Sequence, residues 1–222
     1  LLHHGAPADR LFFSPHCIDN AAFGARAAEA RRAAQGPQPG RRRILFVGKL
    51  MARKRPMDLL EAAARLHAAG QPVELVFAGS GELQPALEQA AAAAGLPARF
   101  LGFVNQSELP AVYASADVLV LPSDGSETWG LVVNEGMACG LPAVVSDAVG
   151  CGPDLVRPGK TGAIFPLGDV AALTHALSQV LALDLQSSRR EIAARIEQYS
   201  PAKAAEGILQ GVDRLCRQRL LN

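Results

Sequence analysis

Two glutamates, Glu127 and Glu135, lie eight positions apart around a glycine-containing turn, and they are the clearest sign of chemistry in the sequence. The apolar run before them is typical of a buried strand that breaks at Pro122, and the run after them predicts a helix closed by Gly140. We therefore expect Glu127 in the loop and Glu135 on the helix. A fully helical span of this length would rise about 12 Å, which is the scale of a sugar diphosphate. Carboxylates placed in this way can hold the hydroxyls of a sugar nucleotide.

The start of that helix predicts an anion site. The backbone N–H groups of Gly130, Leu131 and Val132 would have no partner inside the helix, and they would point beyond the strand end together with the helix dipole. Glycine at position 130 would let an anion approach the backbone, because no Cβ is in the way. A simpler interpretation stays open, in which Glu127 is an acid favoured by the dipole and Glu135 is a solvated helix residue.

A cluster of cations follows the first strong strand and consists of Lys49, Arg53, Lys54 and Arg55. In a sheet of conventional order, this loop would face the same edge as the loop that carries Glu127. Cations opposite a helix N-terminus make a pyrophosphate site, which can stabilise negative charge on a departing nucleoside diphosphate. The alternative for such a run taken alone is a solvated loop. We interpret the arginines at 41–43 as exposed charge ahead of a strand.

Short apolar runs alternate with segments of helical periodicity. Uninterrupted apolar strands indicate a sheet covered on both faces, hence parallel strands with right-handed crossovers. We predict an α/β fold with a doubly wound, mainly parallel, Rossmann-like sheet, whose ligands bind beyond the carboxyl ends of the strands. The predicted strands are 44–47, 73–78, 99–101, 118–121 and 143–146. The predicted helices are 56–70, 82–94, a short one from 107, one after 166, one around 192–196 and one over 202–220.

Glycines mark the other loops at that edge. The segment 79–81 lacks the third glycine of a dinucleotide fingerprint, which weakens a nicotinamide interpretation and favours a tight strand-to-helix turn near phosphate. The segment 102–105 could present backbone groups to a nucleobase, although an ordinary turn explains it equally well. The five histidines are dispersed without an evident serine or aspartate partner in sequence, so we assign no catalytic triad.

The composition excludes several classes of protein. The chain has 222 residues, of which 49% are hydrophobic, enough for one domain with a full core, and two domains stay open. Lys+Arg 22 against Asp+Glu 21 gives a net charge of +1, so no overall field favours nucleic acid or a membrane surface. The four cysteines form no CxxC pair, which predicts no bound metal and a reducing compartment. Without a long apolar stretch or a signal peptide, we expect a cytoplasmic protein.

Taken in order, the motifs resemble the C-terminal, donor-binding domain of GT-B-fold retaining glycosyltransferases of the group 1 type. The most specific of them is Glu127-x7-Glu135, an EX7E motif that continues into 136–142. The other matching segments are 46–50 with Lys54, 76–81, 100–104, 115–118 and 159–162, and 14–20 with Phe23 resembles the interdomain junction of the family. The sequence departs from the family where Arg55 replaces glycine and Trp129 replaces phenylalanine.

The resemblance implies the residues of the site. Those assigned to catalysis are Lys49, Lys54 and Glu127. Those assigned to donor binding are Gly48, Gly79, Val104, Asn105, Trp129, Gly130, Leu131 and Glu135.

The resemblance also implies what most of these positions contact. Lys49, where the family usually has arginine, and Lys54 would hold the diphosphate of the donor. Glu127 would contact hydroxyls of the transferred sugar, and Glu135 would contact the ribose hydroxyls. The N–H groups at 130–131 would contact the distal phosphate, and residues 104–105 would face the base. The family needs no metal, so we expect no cofactor besides the nucleotide sugar.

The resemblance further implies the domain organisation and the reaction. Residues 1–40 would form the interdomain junction and a connector, and residues 41–222 the Rossmann-like nucleotide-sugar-binding domain. Independently of the resemblance, the composition of 25–40, rich in Ala, Arg, Gln, Gly and Pro, predicts a mobile connector there. The chain begins abruptly without Met, as a fragment would. An N-terminal domain before residue 1 would carry the acceptor site and any peripheral membrane contact.

The expected activity is transfer of a sugar, with retained configuration, to an unknown glycan, lipid or small molecule. We expect no nucleic acid partner, and we expect the fragment alone to be inactive. Two alternatives stay open: a noncatalytic sugar-nucleotide-binding or regulatory module, and an epimerase-like GT-B protein.

Overall fold

A computed structural model of the chain describes residues 2–34 and 40–220, which form an α/β domain around one parallel sheet. The six strands run in the order β3-β2-β1-β4-β5-β6. Their bounds are β1 Arg42–Val47, β2 Val73–Ala78, β3 Ala98–Phe100, β4 Val118–Leu121, β5 Ala143–Ser146 and β6 Gly162–Phe165. The order reverses between β1 and β4, which are paired neighbours. The predicted doubly wound parallel sheet is therefore confirmed.

Helices cover both faces of the sheet. They are α1 Asn20–Ala33, α2 Pro56–Ala68, α3 Gln84–Ala93, α4 Leu109–Ala114, α5 Leu131–Ala138, α6 Gly152–Leu155, α7 Val170–Leu181, α8 Leu185–Glu197 and α9 Pro201–Leu220. One face contacts α1, α4, α5 and α8, and the other contacts α2, α3 and α7. In β1, Leu45 and Val47 lie in the first core, whereas Ile44 and Phe46 lie in the second. This alternation is the reason why a continuous apolar run predicts a strand buried on both sides.

Local sequence signals explain where several helices begin. Pro56 occupies the first turn of α2, where its missing N–H costs no hydrogen bond. Asp169 caps α7 by accepting a hydrogen bond from the N–H of Ala172 at 2.8 Å. Asp184 caps α8 in the same way through the N–H of Ser187 at 2.9 Å.

The predicted mobile connector over 25–40 is wrong for residues 25–33, which belong to α1. The carboxylate of Asp19 accepts a hydrogen bond from the N–H of Ala22 at 2.9 Å and so caps this helix. Phe23 and Ala27 are buried against α4 and α5. The alanine-rich composition that suggested a connector is also that of a strong helix former, and a stripe of two buried residues is too narrow to read in a sequence. Residues 35–39 lie outside the described part of the chain.

Two further features differ from the prediction. Arg42 and Arg43 belong to β1, and the Nε of Arg43 lies 3.0 Å from a carboxylate oxygen of Glu74. Arg43 is thus paired and half-buried rather than exposed charge. The strand β6 was not predicted, because a four-residue run that starts with glycine has no distinctive pattern before it pairs with β5. Across the described residues, no helix is long and apolar enough to cross a membrane.

Candidate functional site

The site lies where the loops after β1 and β4 meet. These strands are neighbours at the reversal of strand order, the position at which doubly wound sheets bind ligands. The backbone oxygen of Arg53 accepts a hydrogen bond from the N–H of Asp124 at 2.9 Å. The guanidinium of Arg53 also donates to the hydroxyl of Ser126 at 3.2 Å. The basic loop and the acidic loop therefore form one edge of the molecule.

Lys54 and Glu127 form an ion pair across this edge, between Nζ and Oε2. Their side chains are only 14% and 16% exposed, so solvent screens the pair weakly. Glu127 therefore has a cation as its partner, besides any interaction with the helix dipole. A ligand that carries both a phosphate and a hydroxyl can satisfy these two side chains together, the phosphate at the ammonium and the hydroxyl at the carboxylate.

The other cations of the cluster do not all lie on the side of Glu127. Lys49 is exposed on the same loop as Lys54. Arg55 turns back to its own helix, where its Nε lies 2.7 Å from a carboxylate oxygen of Asp58. The structure thus leaves Lys49, Arg53 and Lys54 beside the space between the loops after β1 and β4, which we call the crevice, and pairs Arg55 with Asp58 instead.

Arg55 has a second distinctive property, a backbone φ of 49°. Within the described ranges it is the one non-glycine residue with positive φ, and it is the residue that precedes α2. Left-handed backbone costs a residue with a Cβ about 1–2 kcal/mol, a cost that glycine avoids. This cost is a physical reason for the glycine that the family resembled by the sequence has in place of Arg55.

We expect Arg55→Gly to be more stable than Arg55→Ala by about 1 kcal/mol, as measured by urea unfolding. Both variants lose the contact with Asp58, so the difference between their free energies of unfolding measures the cost of the left-handed backbone at position 55. Equal stabilities would show that the backbone here relaxes without strain. The same pair of substitutions at Arg65, within α2, should reverse the order, because glycine is the poorer helix former.

Glu135 lies deeper than Glu127 and has a different partner. The hydroxyl of Tyr113 donates a hydrogen bond to Oε2 of Glu135 at 2.8 Å, and the glutamate is only 9% exposed. Burial raises the pKa of this carboxyl, and the bond from Tyr113 opposes the rise. The alternative that Glu135 is a solvated helix residue is therefore wrong.

The helix start between the two acids matches the prediction in position, and its glycine has a backbone conformation of its own. Gly130 precedes α5 with φ 99°, and a Cβ on it would lie 2.8 Å from Cδ2 of Leu121. The positive φ by itself favours glycine at 130, and the approach of an anion at this position stays a prediction. Leu131 is 45% exposed at the first position of α5, where the N–H has no partner within the helix.

Glycines also join the loops after β1, β2 and β3. Gly79 has φ 137°, and a Cβ on it would lie 2.0 Å from the backbone oxygen of Gly48. Its N–H donates to the backbone oxygen of Gly102 at 2.7 Å. The two predicted site glycines, Gly48 and Gly79, are therefore in direct backbone contact.

The predicted base-facing residues have packing roles of their own. Val104 is partly buried against the core, and the N–H of Asn105 donates to a carboxylate oxygen of Glu108 at 3.3 Å. Between Gly102 and Val104 lies a residue that the sequence analysis did not single out as a side chain, Phe103, which is 81% exposed. An exposed aromatic ring beside a strand end is a surface on which a base can stack.

Trp129, the single tryptophan of the chain, packs into an aromatic cluster that the sequence did not predict. Its ring lies 5.0 Å from that of His16 and 6.0 Å from that of Tyr199, centroid to centroid. Its indole N–H donates to Oδ1 of the buried Asn134 at 2.8 Å, and the amide of Asn134 donates to the backbone oxygen of His16 at 3.2 Å. Asn134 therefore ties the loop of Glu127 to the segment that precedes α1. The only sequence signal for these contacts was Asn134 itself, an amide side chain inside an otherwise apolar helix.

We expect Asn134→Ala to lower the free energy of unfolding by about 1–3 kcal/mol, because it leaves a part-buried indole N–H without its partner. Urea unfolding followed by the emission of Trp129 measures both the stability and the surroundings of the ring. The exposed Asn105 offers a matched control, and Asn105→Ala should change stability by less than about 0.5 kcal/mol. If Asn134→Ala is as stable as the parent, the hydrogen bonds of Asn134 do not hold the loop of Glu127 to the segment before α1.

Together these features define a doubly wound α/β domain in which a basic loop and an acidic loop meet at the switch point. The described residues contain no group of three or more His, Cys, Asp or Glu side chains that could hold a metal ion. Comparison with known proteins places the domain more closely. The family model described as "Glycosyl transferases group 1" matches residues 28–213, and the chain belongs to this family.

Individual proteins agree with that placement. The D-inositol 3-phosphate glycosyltransferase of Mycolicibacterium gilvum is 35% identical over 220 residues, which cover 96% of this chain and 48% of that protein. The structure of a sucrose-phosphate synthase from Thermosynechococcus elongatus has a TM-score of 0.74 at 27% identity, and the match covers 94% of this chain and 52% of that one. The C-terminal domain of a group 1 family protein from Francisella tularensis has a TM-score of 0.64 at 20% identity, with 80% of this chain and 97% of that one covered. The chain spans about half the length of the curated relatives it matches.

Proposed function

We propose that this chain is the donor-binding half of a retaining glycosyltransferase, which transfers a sugar from a nucleoside diphosphate to an acceptor. The observation that carries the proposal is the contact between Lys54 and Glu127, across the switch-point crevice and next to the start of α5. A cation, a carboxylate and free N–H groups in one crevice suit a ligand with both phosphate and hydroxyl groups. The match to a separate C-terminal domain supports the assignment to this half of the protein.

In the proposed complex the diphosphate replaces Glu127 as the partner of Lys54. Lys49 and the first N–H groups of α5 add further positive charge at the crevice. Glu127, released from Lys54, accepts hydrogen bonds from hydroxyls of the transferred sugar and fixes its orientation. Negative charge grows on the diphosphate as the glycosidic bond breaks, so these groups stabilise the transition state more than the bound substrate. The retained configuration rests on the family resemblance.

In this proposal the cations do the work that a divalent metal does in other enzymes that transfer phosphate-linked groups. The acceptor would bind mainly to the other half of the full-length protein. The relative from Mycolicibacterium gilvum makes D-inositol 3-phosphate the first acceptor to assay.

Calorimetric titration of the chain with UDP, GDP and ADP tests the proposed donor site. We expect at least one of them to bind with a dissociation constant below about 1 mM, and we expect EDTA to leave that affinity unchanged. The absence of binding for all three at millimolar concentration would remove the donor-site assignment. Affinity that EDTA abolishes would show that a metal, rather than the cations, holds the diphosphate.

A further inference from the structure

Glu135 is a buried carboxylate with an unusual partner. Buried carboxylates are usually paired with a cation, because an unpaired buried charge is costly. Glu127 follows this rule through Lys54. Among the described residues, however, the side chain that donates to Glu135 is the neutral hydroxyl of Tyr113, a single donor at 2.8 Å. A carboxylate has about four acceptor positions, so Glu135 retains capacity for further donors.

Tyr113 has no freedom to move away from Glu135. It lies on α4, is fully buried, and is among the largest fully buried side chains of the described residues. The helix α5 passes close beside it, since a Cβ on Gly136 would lie 3.5 Å from Cε1 of Tyr113 and 2.8 Å from Cδ2 of Leu119. The phenol is therefore locked by packing, and it holds one oxygen of Glu135 in a fixed position.

We propose that Tyr113 is a positioning residue, which holds Glu135 as an oriented acceptor for the vicinal hydroxyls of the donor's ribose. This inference rests on the proposed function, because it needs a nucleotide in the crevice. The bond from Tyr113 occupies Oε2, which leaves the remaining acceptor positions of the carboxylate for a diol. A diol supplies two O–H donors side by side, which a carboxylate can accept together.

The pair also predicts how binding depends on pH. The groups that face Glu135 are the phenol of Tyr113, on α4, and the thiol of Cys139, the residue that follows α5. The guanidinium of Arg31, on α1, donates to the backbone oxygen of Cys139. Burial raises the pKa of Glu135, and the Tyr113 bond, which stabilises the ionised form, opposes that rise. The ionised acceptor is lost as the pH falls through this pKa. Without the phenol, the acid limit of nucleotide binding should therefore move to higher pH.

The test combines Tyr113→Phe with a change in the ligand. The affinities of the parent chain and of the variant are measured for UDP, GDP and ADP and for the 2′,3′-dideoxy form of each. We expect the variant to bind the ribose form of the preferred nucleotide about tenfold more weakly at neutral pH. We expect its affinity for the dideoxy form to match that of the parent within about twofold, because that ligand offers Glu135 no diol.

Tyr199→Phe is the matched control. The hydroxyl of Tyr199 also donates to a carboxylate at 2.8 Å, that of Asp154, so the chemical change is the same at a position away from Glu135. This variant should bind both forms of the nucleotide like the parent. If Tyr113→Phe fails to fold, Glu135→Gln replaces it. This variant should lose the same affinity for the ribose forms, and its affinity should show no acid limit, because the glutamine side chain does not titrate.

The outcomes separate the two proposals. If the parent chain binds none of the nucleotides, the proposed function fails and this inference fails with it. If the parent binds and Tyr113→Phe weakens ribose and dideoxy forms equally, or weakens neither, the positioning role is overturned while the donor site stands. An acid limit that stays at the same pH in Tyr113→Phe also contradicts the inference.

Discussion

Replacing Lys54 with alanine is expected to lower kcat/KM for sugar transfer by the full-length protein about 10²–10³-fold. If the proposed function is right, Lys54 stabilises charge that develops on the leaving diphosphate, so most of the loss should appear in kcat rather than KM. Steady-state assays with donor and acceptor measure the two constants separately. Lys160→Ala is the matched control, since it removes another lysine that pairs with a glutamate, Glu191, outside the crevice.

The same substitution should also affect stability, because it leaves Glu127 part-buried without its cation. We expect Lys54→Ala to lower the free energy of unfolding by about 1–3 kcal/mol, less than for a fully buried pair. Adding Glu127→Gln to Lys54→Ala should restore part of the stability and none of the activity. This double variant separates the structural role of the pair from its chemical role. Near-parental turnover in either variant would contradict the catalytic assignment.

The second large effect is expected at Gly79, where alanine should lower the free energy of unfolding by about 3–5 kcal/mol or prevent folding. Two costs act together. A Cβ at this position would overlap the backbone oxygen of Gly48, at 2.0 Å, and the φ of 137° belongs to a region that side chains rarely adopt. The neighbouring atom is backbone, which cannot move aside as the end of a side chain could. Urea or thermal unfolding measures the loss.

Two other glycines separate these costs. Gly95 has φ 61° with nothing within 4 Å of a built Cβ, so Gly95→Ala should cost only the strain, about 1 kcal/mol. Gly125 also has nothing within 4 Å of a built Cβ, and its φ lies outside the left-handed region that side chains avoid. Gly125→Ala should therefore leave the stability nearly unchanged. If Gly79→Ala loses no more stability than Gly95→Ala, the close contact between the loops after β1 and β2 is not a constraint on the fold.

Sequence reasoning succeeded where a signal is local. Apolar runs predicted β1, β2, β4 and β5, since a strand covered on both faces must be mostly apolar. Pro56 and the glycines at turns predicted where helices begin and end, because these residues restrict or free the backbone by themselves. The order of the motifs predicted the family before any fold was known, and the family match confirmed it. The roles of the individual site residues stay predictions.

The tertiary structure decided whatever depends on residues far apart in the chain. The carboxylate of Glu127 meets Lys54 across 73 positions, and that of Glu135 meets Tyr113 across 22. The sequence predicted two acids at one edge, yet it had no means to show that one pairs with a cation and the other with a phenol. Likewise α1 became a helix of the core, rather than a connector, through contacts with α4 and α5. The physical reason is that backbone preference is a property of neighbouring residues, whereas burial, and with it the charge and partner of a carboxyl group, is set only when distant elements pack together.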